Sequence, residues 1–224
     1  YTSKPPLVDS ALDSADLDIL KNATSARQSQ AFTRAKQDME HNLKEAVNYS
    51  GHASARLRTA AECRERMFQL DATMRKDMSL EVQKAMANGW WKYDSANTKL
   101  FSKISGVTTI CFTSPEVNMR YWNKEAKIDQ TILMGKYLLK IVPSNNEVFL
   151  DALENNLTVN GYIHPHASRS GFCWGTAANS VATALDKLEL EPVLNAAQTI
   201  LENYNAESPF ALASEFAYER GIKD

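Results

Sequence analysis

The fourteen residues from Tyr162 to Gly175 hold two histidines, a proline, a cysteine and a tryptophan, and no other stretch gathers as many reactive side chains. Three chemistries fit the set. Cys173 reads as a nucleophile, because a thiol near a basic group or a helix N-terminus gains thiolate character near neutral pH. It lies just ahead of an expected helix, whose N-terminus is the positive end, and His164 and His166 are close in sequence. Alternatively, His164, His166 and Cys173 supply three metal ligands with a fourth position open, although the spacing matches no familiar zinc pattern. The third reading is structural: a buried thiol behaves as a small hydrophobe, and a His-Pro turn hydrogen-bonds its own backbone. Taken alone, the loop leaves the thiol and structural readings open.

The elements around the loop give it a place. Phe32, Ala35, Met39, Leu43 and Ala46-Val47 recur at three- and four-residue steps, and so do Leu57, Ala60-Ala61, Met67, Leu70, Met74, Met78 and Val82. That period marks two amphipathic helices. Asn48-Tyr49-Ser50-Gly51 reads as the stop between them, so an antiparallel hairpin is expected over residues 25–89. The thin stripe of Ala and Met suits packing on another chain or domain. Residues 1–24, with Pro5-Pro6 and Asp9, Asp13, Asp16 and Asp18, read as a flexible acidic arm, with a short docked helix through Leu12, Leu17, Ile19 and Leu20 as the alternative. The Trp90-Trp91-Lys92-Tyr93 segment marks a change of composition and reads as an aromatic plug beneath a second domain, 90–224.

In that domain Val107–Phe112, Asn118–Trp122, Ile132–Val142, Val148–Leu150 and Leu157–Val159 are expected strands. Short consecutive strands linked by turns imply an antiparallel meander. A helical period returns after Gly175, first over Ala178–Leu188, then from Glu191-Pro192 to Tyr204. A last helix carries Phe210, Leu212, Phe216 and Tyr218. Cys63 on a helix face and Cys111 in a strand read as core or interface fillers.

Bulk properties bound the function. A net charge of −2 gives no electrostatic case for nucleic-acid or membrane binding. No apolar run approaches the roughly 20 residues that span a bilayer. Three widely spaced cysteines without a CxxC pair suggest a reducing, cytoplasmic compartment and no disulfide framework.

The order of these parts carries a resemblance. A β-meander, then Ile163-His164-Pro165-His166, then Gly171-Phe172-Cys173-Trp174, then helices, resembles the ubiquitin-conjugating enzyme family. In that family a four-strand meander leads to a His-Pro-Asn motif, followed by a glycine and the cysteine that carries ubiquitin as a thioester. Gly135–Pro143 is similar to the family's central strand with its trailing proline, and Ile200–Phe210 to its helical ending. His-Pro-His with Cys-x-Gly looks closest to the divergent members of bacteria and phages. The resemblance covers roughly residues 100–220 and departs twice: His166 stands where the family has asparagine, and the interval to Cys173 is one residue shorter.

What the resemblance implies is a UBC-like domain, and it leaves the N-terminal hairpin unexplained; with the hairpin read from its apolar period, the expected fold is α+β, an antiparallel helical hairpin followed by a UBC-like domain. The resemblance also implies a carrier of a ubiquitin-like protein through a thioester on Cys173. His166 would polarise the carbonyl, and His164 with Pro165 would shape the loop. The implied partners are an activating enzyme and a ubiquitin-like protein, with no metal or organic cofactor, in the cytoplasm or within a phage particle. A reading from another class keeps the fold without the chemistry: an inactive adaptor or assembly protein using residues 25–87 as its interaction surface. Asp186 is the one downstream carboxylate conceivable as an acid or base, and as a helix residue it equally suits a solvated surface.

Overall fold

The computed structural model describes residues 14–48, 53–74, 77–123, 127–153, 158–207 and 209–222. The helical period of the first third becomes α1 (Ser14–Asn48) and α2 (Ala53–Met74), which pack along each other as an antiparallel hairpin. Arg56, early in α2, reaches back to the end of α1, donating to Asn42 Oδ1 at 3.1 Å and pairing with Glu45 at 3.8 Å. Tyr49, Ser50 and Gly51, expected as the stop, lie outside the described residues, as do residues 1–13.

The hairpin is flanked differently from the sequence expectation at both ends. The flexible arm was expected to reach residue 24, yet the chain is already helical from Ser14. The cause is burial. Leu20 and Ala23 join the core where α1 crosses α3 (Met78–Ala85) and α4 (Ser95–Ser105). Asp16, 1% exposed, accepts hydrogen bonds from Ser95 Oγ (2.9 Å) and the Tyr93 hydroxyl (3.2 Å), with Lys99 Nζ at 3.7 Å. Asp16 is thus an anchor. Asp16→Ala strands two hydroxyls and is expected to cost about 2 kcal/mol. Native-state hydrogen exchange should show it as faster exchange in the first turns of α1, with α6 (Leu190–Glu202) unchanged.

The second expected helix, running unbroken to Val82, is in fact two. Asp77 accepts from the Ser79 N–H at 2.9 Å and caps a new helix, α3. Met78, Val82 and Ala85 are buried, and α3 packs on α6, so these residues join the core of the domain that follows and not the hairpin.

Seven α-helices and eight strands make an α+β fold among the described residues. Strands β1 (Lys92–Tyr93), β2 (Ile110–Thr113), β5 (Tyr137–Val142) and β6 (Glu147–Ala152) form one sheet in the order β1-β2-β5-β6, all antiparallel. Strands β3 (Val117–Asn123) and β4 (Ile128–Gly135) form a separate pair. The expected single run Ile132–Val142 breaks at Gly135, whose φ of 101° favours glycine. Because β2 leads into β3 and β4 into β5, the two pairs make one long ribbon bent at Ser114 and Gly135. Ser114 N–H donates to Tyr137 O, and Tyr137 N–H to Ser114 Oγ, both at 2.9 Å across the bend. The strands are antiparallel as expected, but their pairing is not consecutive throughout: β2 pairs with β5 and not with β3, and within the main sheet β1–β2 and β5–β6 follow in order. Of the last expected strand, Leu157 lies outside the described residues and Val159 makes an isolated bridge with Tyr162.

Helices α5 (Ala178–Asp186), α6 and α7 (Ala213–Glu219) complete the domain. Val193, Leu194, Ala197 and Leu201 of α6 share one core with Phe112, Leu139, Ile141 and Leu150 of the sheet. The aromatic plug is real: Trp91 is fully buried in that core and donates Nε1–H to Leu194 O at 2.9 Å.

Candidate functional site

Two tight turns deliver the His-Pro-His triplet. Val159 and Tyr162 exchange both main-chain hydrogen bonds around Asn160-Gly161, whose φ values are 52° and 84°. Positive φ at both central positions is the type I′ pattern, and Asn-Gly is its preferred dipeptide. His164 and Ala167 then exchange both of theirs, at 3.2 and 3.0 Å, closing a turn around Pro165-His166. All five residues from Ile163 to Ala167 are buried. Strands β7 (Ala167–Ser168) and β8 (Gly171–Phe172) follow as a short hairpin turning at Arg169-Ser170.

The hairpin register joins His166 to Cys173. Ser168 faces Gly171 and Ala167 faces Phe172, so the next rung is His166 and Cys173, and Cys173 N–H donates to His166 O at 2.8 Å. Cys173 is half-buried. Its neighbours Phe172 and Trp174 stack on each other, centroids 4.5 Å apart, and pack against the core. A single 3₁₀ turn, Gly175–Ala177, then leads into α5.

Both imidazoles are held by main chain, in opposite tautomers. His164 is fully buried; its Nδ1 accepts from His166 N–H (3.1 Å), so the proton sits on Nε2, 3.2 Å from Leu201 O. Burial, then the neighbouring His166, pushes its pKa down to about 3. His166 is the reverse. Its Nε2 accepts from Asn205 N–H at 3.0 Å, which leaves the proton on Nδ1. Burial lowers its pKa too, and the Tyr204 ring lies 5.5 Å away, centroid to centroid. Pro165 O accepts from Phe210 N–H (2.7 Å), while Tyr137 OH donates to Ile163 O (2.8 Å) beneath the turn.

These bonds sort the sequence candidates. Cys173 and His166 are joined through their main chains; His164 is fully buried with both ring nitrogens bonded. The three-ligand metal reading loses His164, which spends one ring nitrogen as acceptor and the other as donor. Asp186 sits at the far end of α5 from the loop, accepting from Asn146 Nδ2 at 2.7 Å. Cys111 is completely buried and its thiol is pushed up to about 12 by burial, so it is inert at neutral pH. Tyr137, Leu201, Tyr204, Asn205 and Phe210 act through backbone groups or packing at long range in sequence, and spacing gave no signal for them. The Asn160-Gly161 turn did carry a signal, the strongest dipeptide for a hairpin.

No helix among the described residues is long and apolar enough to cross a membrane. No family model, no curated protein and no solved structure matches this chain.

Proposed function

We propose that the chain carries a ubiquitin-like protein as a thioester on Cys173, within a UBC-like domain. The observation that carries the reading is the main-chain hydrogen bond from Cys173 N–H to His166 O, which ties the half-buried Cys173 to the exit of a buried His-Pro-His turn. The Cys173 thiolate attacks the thioester carbonyl presented by an activating enzyme. A C–S bond to Cys173 forms, negative charge gathers on the carbonyl oxygen, and collapse expels the activating enzyme's cysteine as thiolate. In discharge an amine attacks the same carbonyl, a C–N bond forms, Cys173 leaves as thiolate and the amine proton passes to solvent. His166 donates a hydrogen bond to the oxyanion and keeps its proton throughout. His164 and Pro165 hold the turn. None of these steps calls for a metal or organic cofactor. A reducing compartment, the cytoplasm or the interior of a phage particle, suits the thiol.

The test is a cognate activating enzyme, its ubiquitin-like protein and ATP, read on non-reducing gels. A thiol-sensitive adduct is expected on the unaltered chain, on Cys63→Ala and on Cys111→Ala, and complete loss on Cys173→Ala. An adduct that persists in Cys173→Ala overturns the assignment.

One observation favours a second reading, an adaptor that keeps the fold without the chemistry. The α1–α2 hairpin extends well past its anchor on α3 and α4, and exposes Leu43 and Leu57. On that reading residues 25–87 recruit a protein partner, the adduct never forms, and Cys173 resists alkylation until the chain unfolds.

A further inference from the structure

We propose that the main-chain N–H of Asn205 selects which nitrogen of His166 carries the proton, and that this selection makes the ring the oxyanion donor of the site. The inference rests on the carrier reading above. A neutral imidazole has one proton to place, and the hydrogen bond at one nitrogen decides the other. Asn205 donates to Nε2 at 3.0 Å, so Nε2 is an acceptor and Nδ1–H is the remaining donor. The choice matters for reach. Nδ1 is the second atom beyond Cβ, the same place that the amide nitrogen occupies in asparagine. A histidine with its proton on Nδ1 therefore offers a donor where asparagine would, and one with its proton on Nε2 does not.

The selecting group is itself fixed. Tyr204 N–H, one residue earlier, donates to Arg120 O of β3 at 2.9 Å, and Asn203 bridges the same residue. Asn205 Oδ1 accepts from Glu207 N–H at 3.0 Å, which shapes the segment just beyond. Asn205 thus reaches His166 from a strand-anchored segment. Two residues away, His164 shows the converse: Nδ1 receives a main-chain N–H, and the proton is on Nε2. An imidazolium at 166 would set an Nε2–H against the Asn205 N–H, two donors facing each other, so the ring serves as a neutral donor and not as an acid. Asn205 is a positioning residue, and His166 the group that meets the reacting oxygen.

Two measurements test this. Long-range proton–nitrogen spectra of the imidazoles in the full chain should show His166 protonated on Nδ1 and His164 on Nε2 at neutral pH. Single-turnover discharge of a preformed Cys173 thioester to free lysine should fall on the order of a hundredfold in His166→Ala, with most of the rate restored in His166→Asn. Asn205→Pro removes the N–H. It should slow discharge when histidine is at 166 and leave the rate of the His166→Asn background unchanged, because an amide has no tautomer to select. Equal slowing in both backgrounds would mean a merely structural role and overturn the proposal. If Asn205→Pro fails to fold, the wild-type spectrum and the two His166 variants decide it. A thioester that forms on Cys173 while His166 carries its proton on Nε2 overturns this inference alone. No thioester at all overturns the carrier reading, and this one with it.

Discussion

About 3 kcal/mol of stability is expected to disappear between pH 7 and pH 4 through His164 alone. The ring titrates near 6.5 in the unfolded chain and at about 3 in the fold, where burial disfavours its charged form. Its folded pKa is depressed, so the unfolded state binds the extra proton. The contribution is whole above pH 6.5 and is lost as pH falls from there toward 3. At roughly 1.4 kcal/mol per pH unit, the 2.5 units from 6.5 down to pH 4 give the figure quoted. Denaturant midpoints at pH 7 and pH 4 measure it. His164→Phe strands the Leu201 carbonyl and the His166 N–H, so it should be less stable than the parent at pH 7 by about 2 kcal/mol. It should also lose less on acidification than the parent does. If parent and variant fall by equal amounts between pH 7 and pH 4, His164 is not the source of the pH dependence.

A larger loss at neutral pH is expected from Trp91→Ala, about 4 kcal/mol. The side chain is 1% exposed, meets Trp90 edge-to-face at 4.6 Å, and donates to the main chain of α6 at Leu194. Truncation opens a cavity and orphans that carbonyl. Trp90 grips the same helix through Nε1–H to Glu202 Oε1 at 2.8 Å, so the two indoles clamp α6 at two points. Leu201 of that helix receives His164, which ties the damage to the loop. Equilibrium unfolding gives the stability change, and alkylation of Cys173 in the folded variant reports whether the loop loosens. Trp91→Phe keeps most of the volume and loses only the hydrogen bond, and should cost less than half as much. A loss below 1 kcal/mol for Trp91→Ala would refute the clamp.

What was legible in the sequence was what local periodicity encodes. Strands β3, β5 and β6 and helices α5 and α6 follow from apolar spacing that matches their burial, and the two hairpin helices follow from the same period although Leu43 and Leu57 of their stripe are exposed. The helical start at Ser14 was not legible, because Asp16 looks like a solvated charge until Ser95, Tyr93 and Lys99 surround it. Nor was the break at Asp77, where one capping carboxylate outweighs a continuous apolar stripe. The last helix was also placed too early: Phe210 and Leu212 precede α7, and with Tyr218 they are exposed, so of the four residues assigned to it only Phe216 is in the core. At the candidate site, composition singled out one loop but not its wiring. The tautomer of His164 is set by the nearby His166 N–H and matched by Leu201 O, whereas that of His166 is set by Asn205, tens of residues downstream, and no spacing rule reaches that far.

The two-rung β7–β8 hairpin also bears on how this loop tolerates insertion and deletion. Cys173 N–H reaches His166 O through the hairpin register, not through a fixed number of residues between them. Arg169 and Ser170, both exposed, form the turn, and hairpins accept two- to five-residue connections between the same paired strands. Residues added at that tip lengthen the loop while the paired strands keep their register. The interval from histidine to cysteine is therefore free to drift in length among descendants of this sequence while the rung is kept. Alignments of such chains are better anchored on the paired strands than on the count between the two residues.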